Sequence, residues 1–226
     1  MQKTYNKKRQ LGALNFTIYM IVGVVLLVIM SAASISFGAA DMNLTTAWGA
    51  IFKFDSSLTE HQIIQTLRLP RIAANIIVGS SLAICGAIMQ GTTRNPLADS
   101  GLMGISSGAT FAMAFCMAFL PGGSYGQMML FACIGAAVTT GMTYFIASIG
   151  TGSMKPQRLV LAGISISMLF GAFSQYLSIK YRLGHALAYW TAGGTAGAKW
   201  SELAIVFPFF IVGIIVALVI SLQLRF

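Results

Sequence analysis

The chain has 226 residues, of which 57% are hydrophobic and only 8% charged, with a mean hydropathy of +0.80. A soluble domain carries roughly a quarter charged residues, so this chain lacks the polar groups to cover a water-facing surface, and lipid must be its main solvent. The net charge of +9 would suit nucleic acid, but the basic residues form only a short N-terminal cluster (Lys3, Lys7, Lys8, Arg9) and scattered positions between apolar runs. That distribution is the positive-inside pattern of a membrane protein, and it argues against a nucleic-acid partner.

The apolar runs fall at 14–37, 72–91, 101–119, 126–149, 159–180 and 203–222. Each is close to the ~20 residues that cross a ~30 Å hydrocarbon core. Their apolarity is continuous rather than alternating, which predicts helices and not strands. The expected fold is all-α: a polytopic membrane helix bundle with six spans in one domain over 1–226, preceded by a cytoplasmic tail at 1–13. The third run opens with small residues from Gly101 to Ser107, which predicts a partly non-helical start. The first run is longer than the ~7–15 residues of a signal-peptide core, so it reads as an uncleaved span.

With the N-terminus cytoplasmic in the plasma (inner) membrane, six spans return the C-terminus to the same side. Lys53, Arg68, Arg71, Lys180, Arg182 and Lys199 then lie outside, against the topological bias. An acidic partner outside is the simplest reason for such residues, although ordinary solvation accounts for Lys53, Lys180 and Lys199.

Residues 38–67 form the first outer connection. Within it Leu44, Ala47, Trp48, Ile51 and Phe52 follow helical spacing, with Asp41 or Asn43 available as a cap. This predicts a short amphipathic helix on the membrane surface, an interfacial anchor or part of a docking platform. Residues 181–200 form a second outer segment, with a helix over His185 to Trp190 closed by Gly193-Gly194. Pro121-Gly122-Gly123 makes an outer turn, and 150–156 an inner one. Four of the five prolines mark span boundaries; Pro208 lies inside the sixth run, where it is expected to kink the helix unless its neighbours compensate.

Small residues recur every four positions as Gly79, Ala83 and Ala87, as Gly104, Gly108 and Ala112, and as Gly163, Ser167 and Gly171 with Ser174 and Gln175 beyond. Such stripes let helices approach closely in lipid. In the fifth run the polar members also suit the wall of a water-filled path.

Several chemical motifs fail on inspection. Gly104-Ile105-Ser106-Ser107-Gly108 matches a nucleophile elbow, but the preceding strand and a His and acid in reach are missing. Gly194-Thr195-Ala196-Gly197-Ala198-Lys199 lacks the Gly-Lys-Ser/Thr of a P-loop, so no ATP site is expected here. Cys85, Cys116 and Cys133 form no C-x-x-C pair, and no histidine cluster exists. Neither a catalytic centre, a metal site nor a cofactor is expected. Asp41, Asp55, Glu60, Asp99 and Glu202 all lie at or beyond span ends, and the lack of a mid-membrane carboxylate argues against an ion-driven secondary carrier.

The run Arg68-Leu69-Pro70-Arg71, Gly79, Leu82-Ala83, Gly86-Ala87, Gln90, Asn95-Pro96-Leu97-Ala98, Leu102, Gly104, Ser106 and Gly108-Ala109 closely resembles the permease subunits of iron-siderophore, haem and cobalamin ABC importers. Further matches fall at Arg158 to Gly163 and at Trp190, Gly193-Gly194 and Trp200, so the resemblance covers nearly all of the chain.

The resemblance implies the first part of a ten-helix permease. Such a permease pairs with itself or a related subunit, is driven by two cytoplasmic ATPase subunits, and receives an iron chelate from an extracytoplasmic binding protein. It implies that Arg68 and Arg71 meet carboxylates of that binding protein. It also implies a cytoplasmic gate at Asn95, Pro96, Leu97, Pro156 and Gln157, and a path lined by Gly163, Ser167, Gly171 and Ser174.

This chain departs from the pattern at Asp99-Ser100, where relatives often carry Glu-Pro. It also ends before the Gly-Glu-bearing cytoplasmic segment that contacts the ATPase, so it reads as a fragment or as a truncated product. The alternative to an importer subunit is therefore a non-transporting membrane scaffold.

Overall fold

The computed structural model describes residues 2–36, 43–149, 156–192 and 194–223, with side chains from 15 onward apart from those at 44, 222 and 223. The side chains of Lys3, Lys7, Lys8 and Arg9, and the expected features at Asp41, 150–155 and Gly193, lie outside this description. Among the described residues all regular structure is helical. The chain forms two compact units, Met1–Ala73 and Ala74–Phe226.

The first unit contains α1 (Gln2–Ser36), α2 (Leu44–Phe52), α3 (Thr59–Ile63), a π-helical turn (Ile64–Arg68) and the opening of α4 (Leu69–Thr93). Its core is Ile35, Ala47, Ala50, Ile64 and Ile72. The amphipathic helix forms as expected, but its face divides. Ala47 and Ala50 are small enough to pack inward, whereas Trp48 and Phe52 are exposed and stack on each other with ring centroids 5.2 Å apart. An exposed aromatic pair beside apolar spans is the composition of an interfacial belt. Asn43 takes the N-cap position without a side-chain cap bond.

The connection expected at 38–67 is shorter than that, because helix begins at Thr59 and continues through Thr93. Pro70 does not start a span; it sits fully buried within this run. A proline there cannot donate to the preceding turn, and the wide turn Ile64–Arg68 directly before it absorbs the mismatch.

In the second unit, α4 leads to a 3₁₀ turn (Ser100–Met103), α5 (Ile105–Phe119), α6 (Tyr125–Ser148), α7 (Pro156–Lys180), α8 (Gly184–Ala192) and α9 (Trp200–Gln223). Five helical runs among the described residues are long and apolar enough to cross a membrane: Asn15–Ser36, Thr59–Thr93, Tyr125–Ser148, Pro156–Lys180 and Trp200–Ser221. The third expected span is different. Its first residues form the 3₁₀ turn, Gly104 reverses the backbone at φ 81°, and α5 has only 15 residues.

Close backbone contact holds this break. Gly108 of α5 faces Gly135 of α6, and a Cβ on either would collide with the other's carbonyl oxygen. Gly163 of α7 lies directly under the Leu102 carbonyl. Thr143 of α6, fully buried, donates to the Met103 carbonyl at 3.0 Å. Cys116 is buried, while Cys85 and Cys133 are exposed; all three are free. α9 runs unbroken through Pro208.

Two substitutions test this packing by thermal unfolding in detergent. Gly163→Ala is expected to cost about 1–3 kcal/mol, because Leu102 must be displaced. Thr143→Val keeps the volume but strands the Met103 carbonyl, a loss of about 1 kcal/mol. An unchanged midpoint in both variants would remove the 3₁₀ turn as an anchor.

Candidate functional site

In the first unit, the π-helical turn and the start of α4 present Arg68 and Arg71 differently. Arg68 is half-buried, and its Nη1 donates to the Ile35 carbonyl in the last turn of α1. That position suits a cation, because helix C-termini carry partial negative charge. Arg71 is exposed.

Beside them the 53–61 segment is tied by His61, which is buried and accepts the Asp55 backbone N–H at Nδ1 over 3.1 Å. Gln65 donates to the Ala50 carbonyl at 2.8 Å. Asp55 accepts from both the hydroxyl (2.7 Å) and the backbone N–H (2.9 Å) of Ser57. These bonds, the hydroxyl first, hold its carboxyl below the ordinary value of 3.8.

In the second unit, α4 ends in a paired-bond C-cap. Arg94 takes the left-handed conformation at φ 50°, Asn95 N–H donates to the Gln90 carbonyl at 3.2 Å and Arg94 N–H to that of Gly91 at 3.4 Å. Pro96 then bars continuation of the helix. The Asn95 side chain accepts from Leu97 N–H at 3.0 Å, and Asp99 accepts from Gly101 N–H at 3.1 Å, capping the 3₁₀ turn.

Asp99 thus supplies with a side-chain cap the start that a proline would otherwise favour. Asn95, Leu97 and Pro156 line one small cavity of about 60 Å³, together with Met89, Asp99 and Leu159. Pro96 and Gln157 are exposed and outside that lining. Leu97 itself is 86% exposed.

The stripe on α7 divides in two. Gly163 is buried beneath Leu102, and Ser167 lies close to Gly104, where a Cβ would approach its Oγ to 3.5 Å. Both therefore seat the 3₁₀ turn. Gly171 and Ser174 instead line a groove of about 510 Å³ between α5, α7 and α8. Ser106, Ser107, Thr110, Gln175, Ser178 and Thr191 complete its polar wall. Of these the sequence pointed to Gln175 as an extension of the stripe. Ser178 continues it at i+4, a signal available but not used, whereas Thr191 has no sequence signal, since it arrives from α8.

A further hollow of about 410 Å³ is lined by Tyr125, Tyr189, Trp190, Thr195, Lys199 and Glu202 among others. The Thr195 hydroxyl donates to Asn75 Oδ1 at 2.5 Å beside it. No cluster of three metal-ligating side chains exists among the described residues.

The FecCD transport family model matches residues 26–226. The chain is 41% identical over 204 residues to the iron(3+)-hydroxamate import system permease protein FhuB of Bacillus subtilis, covering 90% of this chain and 53% of that protein. It is 34% identical to the Fe(3+)-citrate import system permease protein YfmD of the same organism, covering 89% and 59%. Its fold is similar to a solved ABC transporter chain described as of the metal-chelate type, in an inward-facing conformation. That match has a TM-score of 0.70 and 25% identity, over 91% of this chain and 63% of the other. The chain spans about half the length of the curated relatives it matches.

The Asp55 cap gives a pH prediction. A carboxyl whose folded pKa lies below its unfolded value adds stability that is complete above the unfolded value and lost as pH falls through the folded one. Ser57→Ala removes both the hydroxyl bond and this shift in large part. Carboxyl NMR titration of Asp55 is expected to move upward toward 3.8 in the variant; an unmoved titration would exclude Ser57 as the cause.

Proposed function

Because this chain belongs to the FecCD transport family, we propose that it is a membrane-spanning part of an ABC importer taking up an iron chelate. A binding protein delivers the chelate from outside, and a separate ATPase subunit supplies the energy. The observation that carries this reading is a polar groove of about 510 Å³ between helices whose outer surfaces are apolar. Hydroxyl and amide groups are costly against lipid, so such a groove calls for water or a solute. The relatives named as iron-hydroxamate and iron-citrate permeases support the same cargo class.

In this reading the basic tail is cytoplasmic, the Arg71 end of α4 is outside and the Asn95 end is inside. Arg71, exposed and forked, is the primary contact for a carboxylate on the binding protein. Arg68 contributes while also holding α1. The gate is the Asn95–Leu97 turn against Pro156, with Pro96 and Gln157 on its exposed rim. Leu97, with 86% of its surface exposed, suits cover by the same loop of a second permease subunit. Gly171 and Ser174 line the path.

Reconstitution of the full permease with its ATPase and binding protein tests the proposal. ATP-dependent, ionophore-insensitive uptake of a labelled ferric chelate is expected; a scaffold would dock nothing and move nothing. Arg71→Glu should weaken binding-protein docking tenfold or more at low salt, an effect that fades as salt rises. Arg68→Ala should lower thermal stability by about 1–3 kcal/mol as well, through the lost bond to Ile35. Unaltered docking in Arg71→Glu would sink its assignment.

A further inference from the structure

We propose that the hollow of about 410 Å³ between α4, α6, α8 and α9 holds the headgroup of a phospholipid bearing a primary ammonium, with the ammonium between the aromatic rings and Glu202 and the phosphate at Lys199. Such a site needs only that these helices cross a bilayer, whatever the chain transports.

The hollow gathers residues from the ends of apolar runs. Tyr125 opens α6, Lys199 and Glu202 flank the start of α9, and Tyr189 and Trp190 lie in the last turn of α8. Its polarity changes with depth. Along α9 the wall passes from Glu202 to Val206, one turn further into the span, and along α4 from Ala74 to Val78. Beyond them Val78, Phe207 and Phe209 are exposed apolar side chains. A polar rim above an apolar floor is the profile of a phospholipid at the membrane interface, its acyl chains continuing along α4 and α9.

The rim has the chemistry of a cation site. The Trp190 ring stands 5.7 Å from Tyr125 and 6.0 Å from Tyr189, the second pair nearly perpendicular at 87°. Rings at such angles turn more than one π-face toward the space between them, and those faces attract an ammonium. Gly197 gives the Tyr189 hydroxyl its room, since a Cβ there would stand 2.5 Å from it.

Glu202 adds the negative charge. Its side chain is half-buried, and Oε2 accepts the Lys199 backbone N–H at 3.2 Å, which holds the carboxylate at the start of α9. A carboxylate offers further lone pairs beyond one such bond, and a primary ammonium brings three donors. Lys199, exposed on the same rim, supplies a cation for the phosphate. Opposite charges three residues apart match a zwitterion; a purely anionic headgroup would meet Lys199 but be repelled by Glu202.

The test uses the full permease with its ATPase in nanodiscs of equal parts phosphatidylethanolamine and phosphatidylglycerol. Lipid retained on release into mild detergent is identified by native mass spectrometry. Wild type is expected to favour phosphatidylethanolamine by about tenfold, the scale of one charged hydrogen bond. Glu202→Gln keeps the capping acceptor and removes the charge, so the ratio should fall toward one. Lys199→Ala should instead lower the amount of both lipids, which share the phosphate. Tyr189→Leu, at an exposed position, should lower the ratio about threefold through the lost cation–π contact, and it carries the test where Glu202→Gln does not fold by size-exclusion chromatography. Equal retention of the two lipids by the wild type, or a ratio unmoved in the folded variants, would overturn the site. Displacement of the lipid by an equal concentration of free phosphoethanolamine would assign a soluble amine and overturn the lipid. Uptake is not read, so failure of the importer reading would leave these outcomes unchanged.

Discussion

A backbone polar group that enters hydrocarbon must find its partner within the protein, and the second unit is organised around one place where that demand is hardest to meet. Between Asp99 and Gly104 the chain abandons regular helix. Asp99 caps the turn from its own side chain, Thr143 answers the Met103 carbonyl, and the first turn of α5 starts from the Gly104 carbonyl. Gly163 gives Leu102 the room to lie against α7. Three helices, α5, α6 and α7, are thus fixed to one turn through a side-chain cap, a hydroxyl donor and the space left by a glycine.

Apolar burial gives little drive for helices to associate in lipid, so small residues and shared hydrogen bonds take over. The Gly108–Gly135 contact brings α5 and α6 to backbone distance. That closeness keeps the short α5 within the bundle, so its serines and Thr110 reach one wall of the groove while α7 supplies the other. Structure at the turn and chemistry in the groove are therefore coupled: Gly163 and Ser167 belong to the former, Gly171 and Ser174 to the latter. The same stripe performs both tasks because successive members climb α7.

The first unit solves a different problem. Pro70 follows immediately upon Leu69, and a proline inside a continuous helix removes a donor and crowds the previous turn. The π-helical turn spreads that strain over Ile64–Arg68 and leaves the Arg68 side chain within reach of α1. Arg71, three residues on, remains exposed. Two arginines of one motif thus acquire unequal surroundings, one packed against the end of α1 and the other turned to solvent.

Composition and spacing alone determined that the chain is a helical membrane protein. Water cannot solvate this many apolar residues, and runs of about twenty admit one regular solution. The Arg-Leu-Pro-Arg and Asn-Pro-Leu motifs likewise marked the family and the turn after α4. Even the irregular opening of the third run was legible, because glycine and serine clusters oppose regular helix. What the sequence left open was partnership. Periodicity of four says that a residue faces a neighbour, yet not whether that neighbour is a packed carbonyl, as for Gly163, or open groove, as for Ser174. Nor could it tell that helix begins at Thr59, since a proline read locally is a boundary and only the preceding π-turn makes it an interior residue. Those distinctions depend on which distant segments meet, and tertiary structure alone decides that.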